Sequence, residues 1–384
     1  MTDHLYIDVH VLQTVPPSNL NRDDAGSPKQ AIFGGVRRAR VSSQAWKRAT
    51  RKAFAETEPL GAQATRTKRI GTMLADRLVE RSDIDPDAAV RISEAMLKPL
   101  GIKPGKKGSE TAYLLFFGRS QLDRIVDSVA DRLNELAGLG DKELDDEVGS
   151  LPVKKELLTG HPIDVALFGR MVADLPELNV DAATQVAHAI STHPVEIEFD
   201  YYTAVDDEKA LSDTEDAGAG MIGTVEFNSA TLYRYATLGF HQLVENLDGV
   251  TDDAVLAVGR FVDGFVRSMP TGHQNSFAHR TLPGLVVVVV RHDQPVNLVS
   301  AYEEPIRSRS GYATASAARL ADEFARAQER WASEPVLVAA SYDPVSTDDV
   351  AERLLSAFGP SMAFPELLDQ VKGALSGALE RSVV

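Results

Sequence analysis

The first stretch of the chain alternates: Leu5, Ile7, Val9 and Val11 are apolar, while Tyr6, Asp8 and His10 stand between them. A period of two predicts a strand near the N-terminus. Pro16 to Gly35, rich in Pro, Gly, Asn, Asp and Ser, reads as a loop. A basic strand is expected over Val36 to Val41, with Ser42 or Ser43 as the N-cap of a following helix. In that helix Ala45, Trp46, Ala49 and Ala53 share one face, and Gln44, Lys47, Arg48, Arg51 and Lys52 fall opposite. One face packs on the body and the other presents four cations.

Thr65 to about Gly140 has mostly helical spacing, broken at Asp85-Pro86 and around Lys103 to Gly108. Asp141 to Glu147 is acidic and expected to be exposed. Asp164 to Met171 reads as a short strand or turn, Asp181 to Ile190 as a small Ala-rich helix, and Glu196 to Tyr202 as a strand. A polar, glycine-rich excursion over Asp206 to Gly223 precedes a strand over Thr224 to Tyr235. Further on, Asp252 to Met269 is helical in pattern, Pro270 to Leu282 is a polar loop, Leu285 to Val290 a buried strand, and Ala315 to Trp331 a helix. Strands and helices mix without strict β-α alternation, so the fold class is α+β.

Length and composition describe a globular chain: 384 residues, 43% hydrophobic and 25% charged. The absence of cysteine excludes a disulfide framework, a thiolate metal site and a cysteine nucleophile. No signal peptide is evident, and the longest apolar run, Leu285 to Val290, is far shorter than the roughly 20 residues a membrane helix needs. A cytoplasmic protein without membrane contact is expected. The net charge of −16 argues against polyanions until its distribution is considered. Asn19 to Phe54 holds nine basic side chains (Arg22, Lys29, Arg37, Arg38, Arg40, Lys47, Arg48, Arg51 and Lys52) and only two acidic ones, a net +7 on a body of −23. Such a segment can hold phosphates while the rest repels stray nucleic acid.

No phosphate loop, nucleophile elbow or paired zinc signature occurs. His188 and His193 are poorly spaced for one helix face, and His161, His241 and His273 are isolated, so no metal site and no cofactor are expected. Asp23 and Asp24 read as an Asx-turn or a partner for Arg22, with a metal-dependent ribonuclease kept as the alternative. Met221-Ile222, at the end of the acidic excursion, is open to two readings: a contact with the core, or an apolar wedge between bases or under a neighbouring subunit.

Several blocks then fall in one order: Leu20-Asn21-Arg22-Asp23-Asp24, Lys29-x-Ala31-Ile32-Phe33-Gly34-Gly35, Arg37-Arg38-x-Arg40-x-Ser42-Ser43-Gln44 and Lys47-Arg48-Ala49. Asp164-Val165-Ala166-Leu167, Gly169-Arg170-Met171, Ala187 to His193, Tyr202 to Asp207, Gly223-Thr224-x-Glu226-Phe227 and Tyr233-Arg234-Tyr235-Ala236 follow. The pattern resembles the CasC family, the backbone subunit of the type I-E CRISPR Cascade complex, over about Ile7 to Ala236.

The resemblance implies a hand. A palm with a modified RNA-recognition-motif (ferredoxin-like) fold would comprise residues 1–64, 161–202 and 224–384. Helical fingers would occupy 65–160, and a β-hairpin thumb 203–223. It further implies a non-catalytic protein that stacks head to tail along CRISPR RNA, meets other Cascade subunits, and presents the guide to target DNA. Arg22, Lys29, Arg37, Arg38, Arg40, Ser42, Gln44, Lys47, Arg48, Arg51, Lys52, Arg170 and Met171 would contact RNA, with Tyr202, Thr203, Met221 and Ile222 as the base wedge. Val36 departs from the pattern, which often has a basic residue there. Cations that hold a backbone without reading bases suit a subunit that must accept any guide.

Overall fold

The computed structural model describes residues 4–102, 110–173, 175–204, 221–343 and 347–383, with side chains placed except at Ala204, Met221, Ile222 and beyond Ala378. Its centre is a nine-stranded sheet. Strand β1 (Tyr6–Ser18) pairs antiparallel with β9 (Met221–Gly239) on one side and β10 (Leu285–Arg291) on the other. Because β9 and β10 both oppose β1, they are parallel to each other with β1 between them. Helix α10 (Thr251–Arg267) connects them, which makes a split β-α-β unit of the ferredoxin-like type. Strand β11 (Leu337–Tyr342) extends the sheet beyond β10. On the far side, β7 (Ala189–Ser191), β3 (Val36–Val41) and β2 (Gln30–Phe33) follow β9 in order. The mixed α+β class and a palm consistent with the RNA-recognition-motif type are present.

The alternation of β1 explains its two faces. Ile7, Val9, Val11 and Val15 point into a core with Trp46 and Phe54 of α1 (Ser43–Thr57), with α10, and with Leu367, Val371 and Leu375 of α14 (Phe364–Val383). Leu12 points to a second core with Tyr233, Tyr235, Val287 and Val289, roofed by α12 (Ala313–Trp331) and α13 (Asp348–Phe358). Both faces of the sheet are therefore covered, and β10 is buried throughout.

The second face also carries polar groups. Tyr235 donates to Asp8 Oδ1 at 2.8 Å and the Val296 amide to Asp8 Oδ2 at 3.0 Å, while Arg291 lies 3.4 Å from that carboxylate. His10 Nδ1 is 2.9 Å from the Tyr233 hydroxyl. Burial, aided by Arg291, pushes His10 down to about 3. The unfolded chain binds a proton on His10 below about pH 6.5, whereas the folded chain binds none until about pH 3. Stability from this group is thus present above 6.5 and lost as pH falls towards 3. His10→Gln is expected to flatten the response, gaining about 3 kcal/mol on the wild type between pH 7 and pH 4 in urea unfolding. Parallel curves for the two proteins would show that His10 is not the titrating group.

Between β4 (Ala64–Thr67) and the palm strands lies a helical insertion with its own core. Ile70, Leu74 and Leu78 of α2 (Ile70–Arg81) and Ile92 and Met96 of α3 (Pro86–Leu97) pack with Leu122, Ile125 and Val126 of α4 (Arg119–Asp127). Asp85 caps α3 and Pro86 opens it, so the sequence break at this dipeptide is a helix start. The acidic run lies in α6 (Asp141–Gly149), exposed except at the buried Leu144 and Val148 and the partly buried Asp145. This core also takes in Val172, Leu175 and Leu178, beyond residue 160.

Three local expectations change. β1 runs on through Pro16 and Pro17 to Ser18, with its register to β9 shifting between Val15 and Ser18, and β2 forms inside the expected loop. A bulge accommodates prolines that cannot donate to the ladder. Asp164 to Met171 is mostly helix α8 (Ile163–Phe168), ended by Gly169 at φ +71°. Asp181 to Ile190 is two short strands, β6 (Thr184–Val186) and β7, because β9 offers them a ladder that outweighs the helix propensity of their alanines.

Candidate nucleic-acid interface

Helix α1 positions most of the basic side chains. The Ser42 hydroxyl accepts the Ala45 amide, so Ser42 is the N-cap, and its own amide donates to Asn21 Oδ1 at 2.9 Å. Trp46, Ala49, Thr50 and Phe54 are buried against the sheet and α10. Opposite them, Gln44, Arg48 and Lys52 stand exposed.

These three line a cleft of about 790 Å³ together with Arg22, Lys29 and Ser42. Its far wall is the loop after α10, from Met269 to His273. Gly272 allows the two walls to meet, since a Cβ there would lie 2.4 Å from the Leu20 carbonyl oxygen and 2.5 Å from that of Asn19. His273, at φ +48°, places Nε2 3.2 Å from Arg22. Burial and the Arg22 charge lower its pKa. The sequence marked this loop only as polar; nothing in it announced that residue 273 touches residue 22.

Asp23 and Asp24 also line the cleft, but among the described residues neither is in salt-bridge contact with its cations. Of the nine basic residues in Asn19 to Phe54, among the described residues only Arg51 forms a salt bridge, to Asp164 at 3.3 Å. In the insertion and the C-terminal part, by contrast, Arg77, Arg81, Arg91, Arg124, Arg319 and Arg353 are each paired. Arg40 Nη1 lies 3.0 Å from His188 Nδ1, and Arg37 donates to Gln30. Burial lowers the His188 pKa, and Arg40 and Lys29 add to the shift. Burial also lowers that of Lys47, which is half-buried and lies outside the cleft lining.

Arg37, Arg40, Lys47 and Arg51 lie outside the lining of this cleft, and two further expected contact residues, Arg38 and Arg170, are buried. Arg38 is fully buried and donates to the carbonyls of Phe33, Ser191, Tyr302 and Glu303. It ties β3 to the C-terminal body. Arg170 is 4% exposed and donates to Leu178, Leu157 and Phe116 carbonyls, tying the loop after α8 to the insertion. Neither guanidinium faces the cleft in this structure; both are spent on backbone carbonyls that would otherwise be unsatisfied. Met171, next to Arg170, is 83% exposed but does not line the cleft.

Asp23 organises its own loop: Oδ1 accepts the Ala25 amide at 2.9 Å and the Ser27 amide at 3.0 Å, an Asx-turn. Asp24 is exposed in the cleft. Among the described residues no group of three His, Asp or Glu converges as a metal site, and no helix is long and apolar enough to cross a membrane.

Strand β8 (Glu198–Ala204) pairs with the outer part of β9, Thr203 opposite Ile222 and Ala204 opposite Met221. This two-stranded arm exposes Phe199, Tyr201 and Tyr202. Residues 205–220, which hold most of the expected thumb, and the side chains of Met221 and Ile222 lie outside what is described.

The family model described as "CT1975-like protein" matches residues 7–363. The chain belongs to this family. Two solved structures resemble this CT1975-like protein along nearly its whole length. A chain of a "CRISPR RNA-guided surveillance complex, pre-nicking" is 33% identical, with 96% of this chain and all of that one covered at a TM-score of 0.81. A chain of a "CRISPR RNA-guided surveillance complex" is 30% identical, with 96% and 99% covered at 0.69. No curated protein sequence matches it.

Proposed function

We propose that this protein is a non-catalytic, RNA-binding backbone subunit of a CRISPR RNA-guided surveillance complex of the type I-E Cascade kind. Copies stack head to tail along the guide and leave its bases free to pair with target DNA. The observation that carries this reading is the excess of cations in the cleft: Arg22, Lys29, Arg48 and Lys52 line it against Asp23 and Asp24, and none of the four has a carboxylate in salt-bridge contact among the described residues. On a chain of net charge −16, acids were available to pair them. A polyanion supplies the missing counter-charge, and its binding is driven by counterion release. Side chains that grip phosphate carry no base code, so guide pairing is left to read sequence. The kinship with chains of two surveillance complexes supports the same reading. Head-to-tail contact is heterologous and does not close, so the RNA sets the length of the stack.

The test is co-purification with the other subunits of a surveillance complex and a CRISPR array. A stoichiometric spacer-containing RNA with several copies of this chain is the expected result. A chain free of RNA while its neighbours assemble would overturn the proposal. In the same particle, Asp24→Ala is expected to change nothing. Divalent-metal-dependent RNA cleavage lost in that variant would replace the backbone reading with a nuclease.

A further inference from the structure

The basic surface does not stop at the end of α1. Arg48 and Lys52 line the main cleft and also a second one, of about 200 Å³, which reaches Gln63 and Ala64 at the start of β4 and is lined too by Asp164 and Glu58, carboxylates already paired with Arg51 and Arg260. β4 pairs with β5 (Leu115–Gly118), Arg66 directly opposite Phe116. Cross-strand partners share a face, so Arg66 stands on the face that Phe116 occupies, and the exposed Lys68 follows just past the end of the strand. That face is turned towards α1. The Phe116 ring has the Arg51 guanidinium 4.3 Å from its centroid and the Arg66 guanidinium 5.0 Å from it. Two cations therefore share one ring at the joint between palm and insertion.

Only one of them is neutralised. Arg51 pairs with Asp164, a largely buried carboxyl whose pKa burial raises. Arg66 feels Asp164 at longer range but has no carboxylate in contact among the described residues, and the same holds for Lys68. Both are exposed. Phe116 holds Arg66 in place without cancelling its charge, as a phosphate contact requires.

We infer that Arg66 and Lys68 are a second set of phosphate contacts, which carry the RNA strand from the α1 cleft onto the insertion. This rests on the RNA-binding reading above. It makes the binding surface longer than the N-terminal basic segment and gives the insertion a direct part in holding the strand.

The experiment uses the full chain with oligouridylates of about 6 and about 30 nucleotides, titrated at several salt concentrations. Arg66→Gln/Lys68→Gln is expected to weaken the long RNA about tenfold. The slope of log K against log salt should fall by about 1.4, as expected when two phosphates of a single strand are no longer neutralised. The short RNA, which the main cleft can hold alone, is expected to bind as before. Lys142→Gln/Lys155→Gln, at exposed sites, is the charge-matched control. Lys68 is exposed and is not one of the cations on the Phe116 ring, so Lys68→Gln alone is expected to give about half the slope change and keeps the inference testable if Arg66→Gln perturbs folding. Where the wild type binds RNA, an unchanged slope in Arg66→Gln/Lys68→Gln, or a loss matched by the control pair, overturns this inference. A wild type that binds neither RNA overturns the function proposed above instead.

Discussion

Replacing Arg234 with alanine is expected to lower the unfolding free energy by about 4 kcal/mol, among the largest single-residue losses in this chain. Arg234 lies on β9 and is fully buried, yet no carboxylate is paired with it among the described residues. Three other features hold the charge. Its guanidinium sits 3.7 Å from the centre of the Trp46 ring and 4.7 Å from that of Phe265. It donates to Gln13 Oε1 at 2.6 Å and to the carbonyls of Phe265 and Val266. Those carbonyls belong to the last turn of α10, where the helix has unpaired acceptors and the negative end of its dipole. Burial still pulls the pKa down to about 9. Truncation would leave a cavity against Trp46 and orphan the Gln13 and α10 acceptors together.

The loss would reach the cleft. Gln13 also donates to Met269 Sδ at 3.3 Å and to the Thr281 carbonyl at 2.8 Å, so it holds the Met269 end of the far wall and the later part of the same loop at Thr281. Urea unfolding followed by tryptophan emission reads this, because Trp46 is buried at the site and Trp331 is 73% exposed. Arg81→Ala, which removes a half-exposed pair with Asp127, is expected to leave the transition unmoved. A loss below about 1 kcal/mol at Arg234 would mean that the core tolerates its absence and that the cation is not what joins α1 to α10.

How much of this was legible depends on where the partner lies. The N-cap at Ser42, the apolar stripe through Trp46 and Ala49, and the polar stripe through Arg48 and Lys52 are local, and spacing alone reveals them. Arg37 and Arg38 look equivalent in sequence, yet Arg37 is exposed and Arg38 is buried. What covers Arg38 is Tyr302, 264 positions away, which no window around residue 38 can contain. The same holds for the wall at His273 and for Arg66, whose link to the α1 face runs through Phe116. The alanines of 181–190 misled because the sheet partner that overrides their propensity, β9, comes some fifty residues later.

Neighbouring cations of α1 are likewise expected to behave differently when reversed. Arg48→Glu/Lys52→Glu should weaken RNA binding at least a hundredfold at moderate salt, and evenly across guide sequences, without a change in thermal unfolding. Both side chains are exposed, line both clefts, and have no carboxylate partner among the described residues. Replacing both with glutamine should lower the salt slope by about 1.4, and reversal adds repulsion to that loss. Arg51→Glu, one turn from Arg48 on the same helix, should instead show its effect in stability. It would place a second acid beside Asp164, whose carboxyl is largely buried and already disfavours its charged form. Filter binding across several guide sequences, with melting curves for each variant, separates the two. A loss at Arg48 and Lys52 confined to some guides would mean that these cations read bases, and phosphate gripping could not then be their role. An Arg51→Glu variant as stable as wild type, with RNA binding reduced like the double variant, would mean that Arg51 leaves Asp164 for phosphate and that the palm–insertion joint does not depend on the pair.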